Sequence, residues 1–142
     1  MIKRKGTYVL FLTFNTFRTL SVGALGQISL KPGMYCYVGS AMNGLDQRVG
    51  RHIAREKKLK WHIDYLTTAA DLVEAAESYP DYIPECVLAE IAAESGCEPA
   101  VKGFGCSDCK CYTHLFWVPP GSRQRLIDGA NLKLWHVNSA TH

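Results

Sequence analysis

The fold of this chain is decided by the stretch MYCYVGSA (residues 34–41) and by the basic segment from Leu45 to Lys60 that follows it. The tyrosines, cysteine and valine of the stretch are typical of a half-buried β-strand, and its Gly39 and Ser40 end that strand. Residues 42–44 (MNG) form a tight turn. The turn leads into a helix predicted over residues 44–57, because apolar side chains recur about every four residues there.

Two polar side chains of this helix are predicted to act together. Arg48 and His52 are four residues apart, so a helix places them on one face. That face is directed towards the end of the strand that carries Tyr37. Arginine offers a planar, permanently charged fork, and histidine offers a second donor or a proton relay, so the pair suits a phosphate group.

Length and composition limit the classes of protein to consider. A chain of 142 residues with 47% hydrophobic content predicts one globular domain over residues 1–142. No apolar run approaches the ~20 residues that cross a bilayer. The basic N-terminus is followed by a strand-like segment rather than by a cleavage site. We therefore expect a cytoplasmic protein that does not bind membranes.

The net charge of +3 is unevenly distributed along the chain. Six bases and a single acid, Glu56, occupy residues 48–60, whereas residues 61–101 hold nine acids and neither lysine nor arginine. Such a basic segment is either a solvated helix face or a surface that binds an anion. The tyrosines that precede it favour nucleic acid. The predicted nucleic-acid contacts are Ser40, Arg51, Arg55, Lys57, Lys58 and Lys60.

Strand patterns account for much of the remaining chain. Residues 6–14 and 113–118 are rich in β-branched and aromatic side chains and are predicted strands. Two short strands, at 19–22 and 27–30, are expected to form an extra hairpin near the N-terminus. Residues 71–79 suit either a returning strand or a helix.

Helices are predicted at three further places. Residues 61–66 form either a short helix or a bend, residues 85–96 a helix opened by Pro84, and residues 122–129 a last helix. Together with the strands, these helices predict an α+β fold, in which a small and mostly antiparallel β-sheet is flanked by helices.

Four short motifs occur in a fixed order over the first ninety residues. The tripeptide that ends in Tyr8 (GTY) comes first, and the one that begins with Tyr37 (YVG) comes second. The Arg48 and His52 pair and then a helix that begins with Glu85 follow them. In this order the motifs resemble those of the GIY-YIG nuclease superfamily.

The resemblance implies a role for each of these five side chains. Tyr8 and Tyr37 would be the paired tyrosines, one of which helps to deprotonate the attacking water. Arg48 would neutralise the scissile phosphate, and His52 would serve as a proton relay. Glu85 would hold one divalent cation, Mg²⁺ or Mn²⁺. Tyrosine is a poor base at its usual pKa of ~10, so it needs cationic neighbours or a group that accepts its proton.

Two later motifs, WHIDYL (residues 61–66) and GFGCSDC (103–109), resemble a mainly archaeal branch of the superfamily. Some members of that branch are joined to DNA-repair glycosylases. The resemblance therefore implies metal-dependent hydrolysis of nucleic acid, DNA rather than RNA, in repair or processing, with a repair protein as partner. The chain has no clear asparagine after the Glu85 helix, where better-studied members have one. A nucleic-acid-binding module without turnover is the alternative.

Two further pairs of polar residues are candidates for supporting roles. His62 and Asp64 are two apart, so they share a face in an extended segment, where the carboxylate can orient the imidazole. Two roles remain open for His62 and Asp64: they either support the catalytic groups or face the substrate, or they are purely structural. Ser107 and Asp108, in the loop 103–110, are predicted to cap backbone groups near the site.

The six cysteines introduce another kind of site. Cys36 and Cys86 lie within apolar patterns and are predicted to be buried thiols. A structural zinc site would draw on the cysteines of one loop and a flanking ligand, namely Cys106, Cys109 and Cys111 with His114 or Cys97. One CxxC without a second CxxC is a weak zinc signal, so a rigid turn is the preferred interpretation and a zinc-stabilised interaction domain the third function.

Overall fold

The computed structural model describes residues 3–54, 56–106 and 111–135. Its main elements are β1 (Gly6–Phe14), β2 (Arg18–Ser21), β3 (Gln27–Leu30), β4 (Gly33–Ala41), α1 (Leu45–Ile53), α2 (His62–Ala69), β5 (Leu72–Ser78), α3 (Glu85–Glu94), β6 (Glu98–Pro99), β7 (Leu115–Val118), α4 (Ser122–Gly129) and β8 (Lys133–Leu134).

Within the described ranges, six strands form one sheet in the order β6-β7-β4-β1-β5-β8, and β2 and β3 form a separate hairpin. Every strand pairing described is antiparallel. The predicted α+β class, the mostly antiparallel sheet and the extra hairpin are therefore confirmed.

The two central strands, β1 and β4, pair along their whole length. β1 also pairs with β5, so it has a neighbouring strand on each side. Its sequence, GTYVLFLTF, is almost continuously apolar, as expected of a strand that is covered on both faces. The register places Tyr8 opposite Gly39. Since Tyr37 is two residues from Gly39, the two tyrosine side chains lie on the same face of the sheet.

Helices cover both faces of this sheet. The face that carries Tyr8 packs against α1 and α2 through side chains that include Val49 and Leu66. The opposite face packs against α3 and α4 through side chains that include Leu88 and Leu126. Burial of one such aliphatic side chain contributes about 1.5–3 kcal/mol. The sheet is therefore held rigidly between two helical layers, and the helix starts are fixed relative to the strand ends.

Two segments for which the sequence permits alternatives take definite forms. Residues 71–79 contribute a strand, because Leu72–Ser78 completes the pairing along the second side of β1. Residues 61–66 begin a helix, α2, which runs to Ala69. The two-residue strands β6 and β8 were not predicted, since they are too short to show a periodic pattern.

The basic helix is shorter than predicted. A helix was expected over residues 44–57, but α1 ends at Ile53 and the next residue has an extended backbone, with φ −60° and ψ 130°. The cause is tertiary, because Arg51 donates hydrogen bonds both to the carbonyl of Lys58 and to the carboxylate of Asp64. These bonds turn the segment after α1 back against the helix.

The four helices within the described ranges are eight to ten residues long. None of them has the length and apolar character that crossing a lipid bilayer would require. Their lengths match those of helices that pack on a small sheet, three turns or fewer.

Candidate active site

One cleft of about 490 Å³ brings together the five side chains to which the motifs point. Tyr8, Tyr37, Arg48, His52 and Glu85 all line it. They come from four elements, β1, β4, α1 and the start of α3. The cleft lies at the end of the sheet where β4 leads into α1, so the fold assembles a single site from residues that are far apart in the chain.

Tyr8 and His52 form a buried hydrogen-bonded pair on the floor of the cleft. Tyr8 Oη lies 2.8 Å from His52 Nε2, and the two rings are tilted with centroids 5.3 Å apart. The residues are only 2% and 1% exposed, respectively. Helix α1 thus directs the imidazole of His52 to the phenol of Tyr8 on the central strand β1.

Gly39 makes room for the Tyr8 ring. A Cβ atom at Gly39 would lie 2.5 Å from Tyr8 Oη and 2.6 Å from Cζ, which is far inside van der Waals contact. Any side chain at this position would push the phenol away from His52. The glycine of the YVG motif therefore has a steric function, because the tyrosine of the GTY motif lies across it.

Burial keeps both members of this pair uncharged. It raises the pKa of Tyr8 above its usual value, an effect that Tyr37 reinforces and that the charge of Arg48 opposes. Burial also lowers the pKa of His52 to about 3, and Lys57, Arg48 and Arg51 add to this while Asp64 opposes it. Near neutral pH His52 is a neutral imidazole that can accept the hydrogen bond of the Tyr8 hydroxyl group.

The guanidinium of Arg48 is held at the wall of the cleft. Its Nη1 donates a hydrogen bond of 3.1 Å to the backbone carbonyl of Ser40. Its Cζ lies 4.6 Å from the centroid of the Trp61 ring, in a cation–π arrangement. Since arginine carries five N–H donors in a planar fork, these contacts orient it without exhausting its capacity to bind an anion.

Glu85, the first residue of α3, is oriented by a histidine. Its Oε2 lies 2.8 Å from His114 Nδ1, and its side chain is 28% exposed. Burial raises the pKa of Glu85, but hydrogen bonds from His114 and Ser40 and the charges of His114 and Arg48 outweigh it, so the pKa lies below its usual value. Glu85 is therefore an ionised carboxylate that faces the cleft.

This donor set suits the cation that the resemblance implies. Mg²⁺ is commonly held by one or two carboxylates together with water and substrate phosphate oxygens. Glu85 provides one ionised carboxylate beside the arginine that would contact the phosphate. An oxygen-liganded Mg²⁺ or Mn²⁺ at Glu85 fits the residues present.

The loop that contains Phe104 forms the wall next to Tyr37. The two rings meet edge to face with centroids 5.9 Å apart. A Cβ atom on Gly105, whose φ is +75°, would lie 3.0 Å from Tyr37 Cε1. Burial, followed by the negative charge of Glu85, raises the pKa of Tyr37. The GFG sequence thus provides close packing against the second tyrosine.

The predicted nucleic-acid contacts separate into two groups. Lys60 and Ser40 line the cleft, and Lys58 is exposed. Arg51 instead forms a bidentate ion pair with Asp64, at 2.6 and 2.8 Å, and Lys57 Nζ donates hydrogen bonds to the His52 carbonyl and to Thr67 Oγ1. Arg55 lies outside the described residues. Of the predicted contacts that the structure describes, Lys60 and Ser40 are therefore the ones that line the cleft.

Asp64 has a structural role that differs from the pairing considered for it. The hypothesis that His62 and Asp64 share a face is wrong, because both belong to α2, where residues two apart point in different directions. The buried Asp64 carboxylate instead accepts hydrogen bonds from Arg51 and from the backbone N–H groups of Lys60 and Trp61. It thereby places Trp61 over Arg48, while His62 is exposed at the rim of the cleft.

The prediction of buried thiols is confirmed for Cys36 and wrong for Cys86. Cys86 is half-buried, and its Sγ lies 4.0 Å from His114 Nε2. Cys97 packs with Cys36 in the core on the α3 and α4 face of the sheet. Cys106 lines the cleft. Cys109, Ser107 and Asp108 lie outside the described residues.

Two residues shape the site in ways that the motifs did not indicate. Trp61 covers the arginines and His114 orients Glu85. The signal for Trp61 was available, since an aromatic residue follows directly on a run of bases. The sequence indicates His114 only as a possible zinc ligand, and its contact with Glu85 arises because the fold brings the start of β7 to the start of α3.

Comparison with known proteins identifies a family but no relative with a described activity. One family model matches residues 7–136, and it is described as a domain of unknown function, DUF123. The match includes every residue that lines the cleft. No curated protein and no solved structure matches the chain.

Proposed function

This chain belongs to the DUF123 family, and we propose that it is a metal-dependent endonuclease that hydrolyses phosphodiester bonds in nucleic acid. The observation that carries the proposal is the convergence of Tyr8, Tyr37, Arg48, His52 and Glu85 on one cleft. The resemblance of the motifs to the GIY-YIG superfamily supports the same reaction, and its repair-linked branch favours DNA over RNA as the substrate.

Activation of water is the first requirement of the reaction, and the Tyr8–His52 pair meets it. Tyr8 Oη takes a proton from the attacking water while its own proton passes over 2.8 Å to His52 Nε2. A free phenolate is disfavoured because burial raises the pKa of Tyr8, and the relay avoids that species. His52 is neutral before the transfer, but burial holds its pKa near 3, so the negative charge of the bound phosphate would have to stabilise the imidazolium that forms.

Neutralisation of the phosphate is the second requirement. Arg48 is anchored by the Ser40 carbonyl and by Trp61, so its remaining N–H groups can meet the phosphoryl oxygens without a large loss of side-chain freedom. Glu85 would hold Mg²⁺, whose chemistry is to neutralise charge on the phosphoryl and leaving-group oxygens. Tyr37, which lines the same cleft as Glu85, would orient the phosphate through its hydroxyl group.

A nucleic-acid-binding module without turnover is the second candidate. It is favoured by one departure of the sequence from the superfamily, the lack of a clear asparagine after the Glu85 helix. The same basic and aromatic side chains, Lys60 and Trp61 among them, would serve binding alone.

A cleavage assay distinguishes the two functions. Branched, nicked and plain duplex DNA and an RNA duplex are incubated with the protein in Mg²⁺, and binding is measured separately without the metal. We expect cleavage of at least one DNA substrate, and a loss of about 10²-fold or more in rate for Arg48→Ala and for Glu85→Gln.

Matched controls come from exposed residues outside the cleft. Glu90→Gln changes a carboxylate on the exposed side of the same helix, and Lys102→Ala removes an exposed base. Both are expected to cleave like the wild type. Salt-dependent binding without cleavage of any substrate would establish the binding module instead, and cleavage that survives in both Arg48→Ala and Glu85→Gln would refute the assigned site.

A further inference from the structure

A group of soft metal ligands adjoins Glu85. The ligand atoms of Cys86, Cys111 and His114 all lie within 4.8 Å of one another. Cys86 follows Glu85 in the first turn of α3, whereas Cys111 and His114 precede β7. We propose that these three side chains hold a zinc ion and that His114, as one of its ligands, orients the Glu85 carboxylate.

The distances are close to those that zinc requires. At Zn–S of about 2.3 Å and Zn–N of about 2.0 Å, ligand atoms of a tetrahedral site lie about 3.5–3.8 Å apart. Cys86 Sγ and His114 Nε2 are already 4.0 Å apart. Side-chain rotation that shortens this pair by about 0.5 Å, and a pair at the 4.8 Å limit of the group by about 1.0–1.3 Å, closes the site.

The chemistry of the ligands selects zinc over the hard cation proposed for Glu85. Two thiolates and one imidazole are typical ligands of Zn²⁺, whereas Mg²⁺ prefers carboxylate and phosphate oxygens. Cys111 and His114 are separated by two residues, a short spacing of the kind common in zinc sites. His114 is fully buried and the two cysteines are half-buried, so the ion would be largely shielded from solvent.

His114 connects the zinc site with the cleft. Its Nε2 faces Cys86, while its Nδ1 lies 2.8 Å from Glu85 Oε2. A zinc-bound histidine usually donates its other ring N–H to a carboxylate, which fixes both the tautomer and the orientation of the ring. Zinc at Nε2 therefore requires the proton at Nδ1, the nitrogen that lies 2.8 Å from Glu85 Oε2.

The zinc site would also support the wall of the cleft. His114 N donates a hydrogen bond of 2.8 Å to the carbonyl of Phe104, and Gly105 packs against the His114 Cβ. An ion that joins the start of α3 to residues 111–114 thus holds the Phe104 loop beside Tyr37. His114 is a positioning residue in this account, and only this influence on Glu85 and the cleft rests on the proposed nuclease function.

The metal content of purified protein tests the proposal without any cleavage assay. The zinc content of protein purified under reducing conditions is measured by inductively coupled plasma mass spectrometry, and about one zinc per chain is expected. Cys86→Ser, Cys111→Ser and His114→Ala should each lose most of the zinc. Cys106→Ser, a cysteine of the neighbouring loop outside the group, and Glu85→Gln should retain it.

Cobalt substitution covers the case in which a ligand variant fails to fold. Wild-type protein loaded with Co²⁺ should show the intense visible absorption of a tetrahedral site and a thiolate charge-transfer band. Wild-type protein that takes up neither zinc nor cobalt would overturn the proposal, as would a disulfide between Cys86 and Cys111 or an equal loss of zinc in Cys106→Ser. Failure of nuclease activity alone would leave these readouts unchanged, so the two proposals fail separately.

Discussion

The phenolic oxygen of Tyr8 lies 2.8 Å from Nε2 of His52, in a pair that is almost completely buried. The two residues are 44 positions apart in the chain and meet because α1 packs over the end of β1 and β4. Burial disfavours both the phenolate of Tyr8 and the protonated form of His52, so the resting pair is a neutral phenol beside a neutral imidazole. A proton can pass from one ring to the other only while a nearby anion stabilises the imidazolium.

Removal of either member of this pair is expected to abolish the relay. Tyr8→Phe and His52→Gln should each lower the cleavage rate by about 10²–10⁴-fold, with little effect on DNA affinity, because each removes proton transfer and not phosphate binding. The double variant should be no slower than the slower single variant, since the two act as a unit. Single-turnover kinetics measure this, and additive losses in the double variant would show that the residues act independently.

The buried neutral His52 should make stability depend on pH. Its pKa is about 3 in the folded protein, against an ordinary value of 6.5. Between these values the unfolded chain binds a proton that the native state does not. The free energy of unfolding contributed by His52 is therefore fully present above pH ~6.5 and falls as the pH drops towards 3, by at most about 1.4 kcal/mol per unit.

Comparison of wild type with His52→Gln isolates this contribution. The groups that act on His52 are the Tyr8 phenol, the bases Lys57, Arg48 and Arg51, and the carboxylate of Asp64. Burial raises the pKa of Asp64, but its hydrogen bonds from Arg51, Trp61 and Lys60 outweigh this and keep the pKa low. Because glutamine lacks the titrating imidazole, urea unfolding between pH 5 and 7.5 should give a flatter profile for the variant. Parallel profiles would contradict a depressed histidine pKa.

Gly39→Ala should damage the site more than the fold. The new Cβ would overlap the Tyr8 ring, and overpacking of this kind costs about 1–3 kcal/mol of stability. Displacement of the phenol from His52 should lower the cleavage rate about 10²-fold. Gly50→Ala is the control, because a Cβ there meets nothing within 4 Å inside α1 and should stabilise the protein by about 0.5–1 kcal/mol. Equal activity of the two variants would argue against the role assigned to Gly39.

Asp64→Ala should be among the more destabilising substitutions of a charged residue. The carboxylate is fully buried and accepts hydrogen bonds from Arg51 and two backbone N–H groups, so its removal leaves buried donors unpaired. Removing one partner of such a pair costs about 3–5 kcal/mol. Denaturant unfolding measures the loss, with the exposed Asp81→Ala as control. A loss below ~1 kcal/mol would mean that Asp64 does not hold the segment after α1.

Several features of the fold and site could be predicted because they are encoded locally. The almost continuously apolar sequence of β1 and the turn-bounded hairpin at β2 and β3 each carry a pattern that needs no tertiary context. The spacing of Arg48 and His52 shows their common helix face for the same reason. The set of five cleft residues was predictable through an ordered resemblance, and their roles stay predictions.

Other features arose only from contacts between distant segments. The end of α1 at Ile53 depends on Asp64, thirteen residues beyond the arginine that it binds. Segments 71–79 and 61–66 are ambiguous in isolation because their composition suits more than one structure. Residues 71–79 contribute a strand because β1 offers them a second edge to pair with.

The sequence by itself determined the class of fold and which side chains are the candidates for the chemistry, because periodicity and motif order are properties of short stretches. The tertiary structure alone decided that Tyr8 meets His52, that His114 orients Glu85, and that Cys86 rather than Cys97 approaches Cys111. Those partnerships depend on strand register and helix placement, which result from packing over the whole core and are not written in any single stretch.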